Sequence, residues 1–459
     1  MELGNKKAVV VGLGQSGIAA AEVLLRSGAS VIALDGKDAS ELSPEVENLR
    51  TLGAEIIAPA NDCDLTGVDF VVTSPGVPVS LPVFERAREA GIEIMAEIEL
   101  AYRISKAPIL AVTGTNGKTT TTILLGAMTK AGGKKTYVAG NVCAGDIKMP
   151  LITAAYKAGP KDVIAAEISS FQLETAKTFR PRISLFLNLT CDHMNRHSGM
   201  EEYGALKSRI FENQRDFDFA VLNGDNEYTA SITHKPACQV LVFSREKELE
   251  EGAYIEGGYV CVRLDGRKHI ICAVNEIPLP GDHNVENVLA ASAAAVAFGI
   301  SDEAVKKAIV SFKPVRHRME PIATINGVEY INNSMCTNVD AAVRSTLAIK
   351  KPQIIIAGGK DKGSDFMPLG ETFAKKAKYV VLIGADAGII EKAVQAAGCS
   401  DIAHAETLPE AVKTASKIAE EGDVVILTPA CASFDMFSSF EDRGDTFRKA
   451  VKDLAGGRL

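Results

Sequence analysis

The sequence predicts an α/β protein of three domains, each built on a mostly parallel sheet. Three observations predict it. At 459 residues the chain is too long for one ordinary hydrophobic core. Short runs rich in Val and Ile alternate with helical patterns in three successive series. Two glycine-rich loops each stand between a strand and a helix.

The first series holds Ala8–Val11, Ser30–Leu34 and Phe70–Thr73, separated by helices such as Ile18–Ser27. The second begins at Ile109–Thr113 and continues through Asp162–Glu167 and Ile183–Leu187. The third contains Gln353–Ala357, Tyr379–Ile383 and Asp423–Leu427. Strand, helix, strand repeated in this way is the pattern of crossover-connected parallel sheets. One boundary falls near Ala96–Leu100. The other falls near Phe312-Lys313-Pro314-Val315, after helices over Asn284–Phe298 and Asp302–Ser311, where the proline and polar Arg316-His317-Arg318 suit a linker. The domains are therefore expected at 1–98, 99–312 and 313–459. Within the second, Val240–Ile277 reads as hairpin material with turns at Gly257-Gly258 and Asp265-Gly266.

Apolar residues make up 46% and charged residues 24%, the profile of a soluble globular chain. A net charge of -8 argues against a broad nucleic-acid surface, which needs clustered cations. The absence of Trp weakens any case for a base-stacking platform. Nine cysteines without a Cys-x-x-Cys pair suggest reduced thiols. No signal-peptide pattern opens the chain and no apolar run approaches a bilayer span. The expectation is a cytoplasmic monomer that engages neither membrane nor nucleic acid.

Gly12-Leu13-Gly14-Gln15-Ser16-Gly17 follows a strand and opens a helix, and Asp35 ends the next strand. This spacing fits a Rossmann-like dinucleotide fingerprint, and alone it would suggest an NAD-dependent dehydrogenase. The physics requires only a pyrophosphate at a helix N-terminus, so a UDP-sugar fits equally. Tight packing with no ligand is a further reading. Ser74-Pro75-Gly76 lies at the carboxyl edge of the same sheet, where ligands of open parallel sheets bind, or is a proline-stiffened turn.

The second loop, Thr113-Gly114-Thr115-Asn116-Gly117-Lys118-Thr119-Thr120, carries more. Strand, glycines, Lys-Thr and helix stand in the order that phosphate binding needs. Backbone N–H groups cradle phosphates, Lys118 meets β- and γ-oxygens, and Thr119 can ligate Mg²⁺. The central domain is therefore read as P-loop ATPase-like, binding ATP. The loop is two residues shorter than the common P-loop, a contraction used by the Mur ligases and folylpolyglutamate synthetases, which activate a carboxylate as an acyl phosphate.

From Gly12 to Gly444 the chain resembles the Mur ligases, the amino-acid-adding enzymes of peptidoglycan synthesis. The resemblance rests on GLGQSG, SPG, TGTNGKTT, EISSFQLE, DHMNRH, LKSRIFEN, GDHNVEN, HRME, GGKDKGSDF and PACASFDMFSSFEDRG in that order. It implies a three-domain fold with Rossmann-like outer domains. It also implies an ATP- and Mg²⁺-dependent ligation of UDP-N-acetylmuramoyl-L-alanine to glutamate, D-glutamate in the best-matching branch.

What the resemblance implies residue by residue goes beyond the local reading. Gly114, Thr115, Asn116, Gly117, Lys118, Thr119 and Thr120 would hold ATP phosphates. Asn284 and Asn287 would line the adenine pocket, and Arg318 would reach the phosphates. Glu167 and His193 would hold metal, with Asp192 orienting His193; read in isolation, Glu167 is better taken as a solvated Glu opening a helix. No role is assigned to Asn195. Lys207, to local reading a solvent-facing lysine on an amphipathic helix, would be carboxylated and become an anionic Mg²⁺ ligand. Gly14, Gln15, Ser16, Asp35, Ser74, Pro75, Gly76, Asn141 and Ser169 would line the UDP-substrate site. Thr337, Lys362, Ser433 and Phe440 would take the amino acid. Asp282 reads as an N-cap. Cys431 has no His partner in view and is not read as a nucleophile.

One departure stands out. Where most of the family reads Asp-Ser-Lys-Ala-Thr-Asn, this chain has Asn333-Ser334-Met335-Cys336-Thr337-Asn338, losing a carboxylate and an ammonium together. L-glutamate or another acidic amino acid therefore stays open beside D-glutamate. The rival of a different class is an NAD-dependent dehydrogenase whose second loop is incidental, and a third reading is a P-loop regulatory ATPase without a ligation partner.

Overall fold

The computed structural model describes residues 1–145, 147–194 and 196–456. Three sheets carry the fold. The first has five parallel strands in the order Glu55–Ile57, Ser30–Leu34, Lys7–Val11, Phe70–Thr73, Glu93–Ala96. The second has nine, in the order Arg267–Ala273, Tyr259–Leu264, Gly252–Glu256, Gln239–Ser244, Phe219–Asn223, Ile183–Phe186, Ile109–Thr113, Val163–Glu167, Thr136–Gly140. The third has six, with Val424–Leu427 and Gln353–Gly358 at its centre and Glu320–Ile325 paired antiparallel at one edge. The central strands bury every residue, which is why they read as continuous apolar runs and not as alternating ones.

The hairpin reading holds: Gly252–Glu256 pairs antiparallel with Tyr259–Leu264, and that strand with Arg267–Ala273, with turns at the expected glycines. Gly252–Glu256 also pairs parallel with Gln239–Ser244, so the hairpins extend the nine-stranded sheet and do not form a separate one.

Other expectations are corrected. The first helix runs Gln15–Arg26, starting three residues before the predicted Ile18, because the glycine-rich loop is itself the helix entry. Asp282 is the first residue of the helix Asp282–Ala297 and not its N-cap. In the expected linker Lys313, Pro314 and Arg316 are exposed, but His317 is not. The His317 ring is 2% exposed, its Nδ1 lies 3.1 Å from Asn332 Nδ2, and it packs edge-on against Phe440. Polarity signalled a linker, but the His317 imidazole is satisfied inside.

The chain separates into two compact units. One comprises Met1–Leu189, Tyr203–Val274 and Asn287–Val310, and the other Thr190–Glu202, Asn275–Glu286 and Ser311–Leu459. The first two sheets share the first unit. All nine cysteines are unbridged. Among the described residues no helix is long and apolar enough to cross a membrane.

Within the first unit, the helix Glu97–Ile104 follows the first sheet and buries two carboxyl groups. Glu99 accepts N–H groups from Lys177, Thr178 and Phe179 and pairs with Arg103 at 2.7 Å. Glu97 accepts only the Ile152 N–H, at 2.6 Å, and its other oxygen has no partner among the described residues. Burial therefore pushes Glu97 up from 4.5 to about 7, with the Ile152 bond partly opposing it. The folded state holds this proton more tightly than the unfolded chain. Its effect is absent below 4.5, and stability falls as pH rises from 4.5 through about 7. Glu97→Gln keeps the shape of the protonated group. The variant should gain stability over the unsubstituted chain as pH rises, by up to about 3 kcal/mol near pH 8. Urea midpoints measured across that range should diverge; parallel profiles would show Glu97 does not titrate there.

Candidate active site

The phosphate loop stands between two parallel neighbours, Ile183–Phe186 and Val163–Glu167, so its mouth opens at the carboxyl edge of three strands. Gly114 and Gly117 have φ of +142° and +85°. A Cβ on Gly117 would lie 2.3 Å from Asn287 Oδ1, so backbone conformation and close approach both demand glycine there. Lys118 begins the helix Lys118–Ala131 and its Nζ donates to the Thr115 carbonyl at 2.7 Å.

The loop is held from the side by Asn188, which the sequence reading passed over. Asn188 Oδ1 accepts the Asn116 N–H at 2.9 Å, its Nδ2 donates to the Asn116 carbonyl at 3.1 Å, and its own carbonyl accepts the Thr115 N–H at 2.9 Å. It sits in NLTCDH just past a strand, and a buried Asn at such an edge was the available signal.

Glu167 ends its strand 3% exposed. One carboxyl oxygen accepts from Thr119 Oγ1 at 2.7 Å and the other from Asn141 Nδ2 at 3.0 Å. Lys207, expected at the surface, is 1% exposed: its Nζ lies over the Tyr203 ring at 4.6 Å and donates to the Gly114 carbonyl at 2.8 Å. Helical spacing did not reveal this, because the helix Met200–Ser208 has polar residues on both faces. Thr120 Oγ1 is buried without a partner among the described residues. Thr121 Oγ1 donates to Asn287 at 3.2 Å, tying the expected adenine-side asparagine to the loop's helix.

Gly14, Gln15, Ser16, Ser74, Pro75 and Asn141 line one cavity of ≈ 220 Å³, together with Gln172 and Cys143. A Cβ on Gly14 would meet nothing within 4 Å, which leaves its backbone approachable. Ser74 Oγ donates to the Gly12 carbonyl at 2.7 Å, and Gln15 Nε2 donates to the Lys148 carbonyl. Asp35 accepts the Leu13 N–H at 2.7 Å and the Lys37 N–H at 2.9 Å, so it shapes the loop whatever else it binds. Gly76 takes a φ of +86° in its turn. Ser169 closes a capping box with Gln172 on the helix Ser170–Leu173. Gly76, Asp35 and Ser169 are not among the residues lining the cavity.

In the second unit, Asp192 joins two expected residues, Lys362 and His193, and Asn338. Its carboxylate lies 3.2 Å from Lys362 Nζ, accepts from Asn338 Nδ2 at 3.1 Å and from the His193 N–H at 2.9 Å. His193 takes a φ of +58°, and its ring Nε2 stays 3.7 Å from Asp192. Asn195 lies outside the described residues. Arg318 stands between His317 and Met319, both with positive φ, at 63° and 43°. His283 is pushed down to about 3, chiefly by burial and then by Arg318 and Arg344, and its Nε2 pairs with Asn284 at 3.1 Å. The hydroxyl of Ser334 donates to the Phe440 carbonyl at 2.8 Å, and Ser433 is buried close in sequence to Cys431. Burial pushes the Cys431 thiol up to about 12, which removes it as a nucleophile.

Among the described residues no three His, Cys, Asp or Glu groups converge as a metal cluster. The Thr119–Glu167 oxygen pair nevertheless suits a hard divalent cation that completes its shell with phosphate and water. A contracted phosphate loop facing a buried glutamate, beside a Rossmann-like sheet and its cavity, defines a nucleotide-dependent α/β enzyme.

Family models describe the chain as a MurD-like N-terminal domain over residues 6–96, a Mur ligase middle domain over 112–295 and a Mur ligase glutamate ligase domain over 317–431. The chain belongs to the Mur ligase family, ATP-dependent ligases that form peptide bonds. Relatives named UDP-N-acetylmuramoylalanine–D-glutamate ligase include one from Caldanaerobacter subterraneus subsp. tengcongensis, 47% identical over 99% of this chain and 100% of its own length. Another, from Clostridioides difficile, is 40% identical over 99% of this chain and 100% of its own. The fold is similar to that of a UDP-N-acetylmuramate–alanine ligase from Thermotoga maritima, with a TM-score of 0.63 at 20% identity over 98% of this chain and 99% of that one.

Two substitutions test the loop. Asn188→Ala removes both side-chain bonds to Asn116 and should raise the KM for ATP about tenfold while costing about 1–3 kcal/mol of stability. Glu167→Gln should lower kcat on the order of 10²-fold or more with the fold intact by circular dichroism. A Gln variant of near-normal turnover would remove Glu167 from the chemistry.

Proposed function

We propose that the chain joins the alanyl carboxylate of UDP-N-acetylmuramoyl-L-alanine to the amine of D-glutamate, with cleavage of ATP to ADP and phosphate. The observation that carries this reading is the Asn141–Glu167–Thr119 relay. One hydrogen-bonded line runs from the cavity beside the first glycine-rich loop to the helix of the phosphate loop. A nucleotide-linked carboxylate in the cavity and a terminal phosphate in the loop would meet there. The full-length identity to relatives of the D-glutamate-adding name supports the choice of substrate.

The chemistry follows from charge. The alanyl carboxylate oxygen attacks the γ-phosphorus, ADP leaves, and an acyl phosphate forms. The glutamate amine then attacks the acyl carbon, loses a proton, and inorganic phosphate departs. Lys118 and Arg318 stabilise the phosphoryl oxygens. Thr119, Glu167, His193 and Lys207, the last as its carbamate, would hold Mg²⁺, which when bound neutralises phosphate charge. Gly114 to Thr120, Asn284 and Asn287 hold the nucleotide. Gly14, Gln15, Ser16, Asp35, Ser74, Pro75, Gly76, Asn141 and Ser169 hold the UDP-linked substrate. Thr337, Lys362, Ser433 and Phe440 take glutamate. The cytoplasm, where ATP and nucleotide-sugar precursors are available, is the compartment that suits this reaction.

Carbamylation would remove the Lys207 cation now directed at Gly114 and put an anionic oxygen donor beside the phosphate loop. Incubation with the UDP-linked substrate, ATP and Mg²⁺ against a panel of amino acids should give ADP release dependent on D-glutamate. Greater stimulation by L-glutamate would overturn the stereochemical choice, release without any amino acid would favour a simple ATPase, and a nicotinamide absorbance change would favour a dehydrogenase.

A further inference from the structure

Arg443, on the helix Phe440–Leu454, is 1% exposed, among the most buried charged side chains of the described chain. Its hydrogen bonds go to neutral acceptors only. Nε donates to Ser334 Oγ at 2.9 Å, Nη2 to the Ser334 carbonyl at 2.9 Å, and Nη1 to the carbonyls of Cys431 and Ala432 at 3.1 and 3.3 Å. Among the described residues no carboxylate makes an ion pair with it. A buried cation without an anion is costly, and its retention calls for a reason. Burial lowers Arg443 to about 10, which leaves it a cation at neutral pH.

Three segments are tied by that one guanidinium. The loop after Val328–Asn332 carries Thr337, the loop after Val424–Leu427 carries Ser433, and Arg443's own helix begins at Phe440. Ser334 Oγ, which accepts from Arg443, donates in turn to the Phe440 carbonyl at 2.8 Å. Each of three expected amino-acid ligands therefore stands on a segment that Arg443 fastens from beneath.

The backbone adds a direction. In a trans peptide the C=O and the following N–H point opposite ways, so every carbonyl drawn to Arg443 turns an N–H away from it. The Ser334 carbonyl turns out the Met335 N–H, which donates to His317 at 3.0 Å, and the Cys431 carbonyl turns out the Ala432 N–H, which donates to Lys360 at 3.0 Å. The Ala432 carbonyl, shared between Arg443 at 3.3 Å and the Lys360 N–H at 2.9 Å, turns out the Ser433 N–H, which has no acceptor among the described residues although Ser433 is 2% exposed. A buried N–H without a protein acceptor calls for a partner, and a substrate carboxylate is one that fits it.

We propose that Arg443 is a positioning residue of the amino-acid pocket, aiming the Ser433 N–H at a substrate carboxylate and fixing Thr337 and Phe440 around it. This rests on the reading of those residues as the glutamate site. It also supplies positive potential near the position where Met335 replaces the family's lysine.

Steady-state kinetics of the full chain test it, with D-glutamate, ATP and the UDP-linked substrate each varied. Arg443→Lys keeps the charge but not the fork, and Ser334→Ala removes one acceptor while leaving Arg443 in place. Both should raise the KM for D-glutamate, about tenfold or more for the lysine variant. The other two KM values should stay within about twofold and kcat should change little. Arg443→Met should be worse than Arg443→Lys; if it fails to fold, Ser334→Ala decides. A glutamate KM within about twofold of the unsubstituted value in folded Arg443→Lys and Ser334→Ala overturns the inference, as does a uniform fall in kcat with all KM values unchanged. No amino-acid-dependent ADP release from the unsubstituted chain would sink the functional reading, and this inference with it.

Discussion

Glu167 is a carboxyl group at the end of a fully buried strand, and both of its oxygens are committed to neutral donors, Thr119 on one side and Asn141 on the other. Among the described residues no cation makes an ion pair with it. That arrangement constrains everything around it. The phosphate-loop helix must start where Thr119 can reach the carboxyl, and the chain after Thr136–Gly140 must turn back so that Asn141 can. Gly140 permits that turn: its φ is +90° and a Cβ there would lie 2.2 Å from the Glu167 carbonyl. The cavity beside the first glycine-rich loop and the helix of the second are thus registered by one side chain.

The same logic explains why the phosphate loop is contracted without being loose. With two fewer residues, fewer loop N–H groups can be satisfied within the loop itself. Asn188 takes up that task from the adjacent strand end, and its backbone carbonyl and side chain together bind Thr115 and Asn116. Lys207 adds a donor to the Gly114 carbonyl from a helix far along the sequence. A short loop clamped from outside is pre-organised, which favours electrostatic stabilisation of transferred phosphate over ground-state binding alone.

Much of this was legible in the sequence, and the reasons for success and failure are physical. Central strands such as Ile109–Thr113 and Phe70–Thr73 announced themselves because burial on both faces selects continuous apolar residues. Glycine positions announced themselves because only glycine tolerates their φ. Lys207 and Asn188 did not, because their roles depend on which chain segment lies opposite, a tertiary fact with no local periodicity. His317 shows the converse: its place in a polar linker gave no sign that Asn332 and the edge of the Phe440 ring meet the imidazole inside. The family resemblance supplied Lys207 where local reasoning could not.

Asn333 fits the direction in which the Ser345 hydroxyl donates. Ser345 donates to the Ala341 carbonyl at 2.7 Å, so toward residue 333 it offers only lone pairs. An amide donor fits, and Asn333 Nδ2 donates to Ser345 at 2.9 Å and to Thr428 at 3.3 Å while its Oδ1 accepts the Met319 N–H at 3.1 Å. A carboxylate in the same place would set oxygen against oxygen unless Ser345 gave up its helix carbonyl. Without a carboxylate at 333 a lysine at 335 would lack its anion, and a thioether that needs none is consistent with that loss. Arg443 and Arg318 both bring positive charge to this region, and Arg443, beneath the loop, acts through the peptide groups it orients.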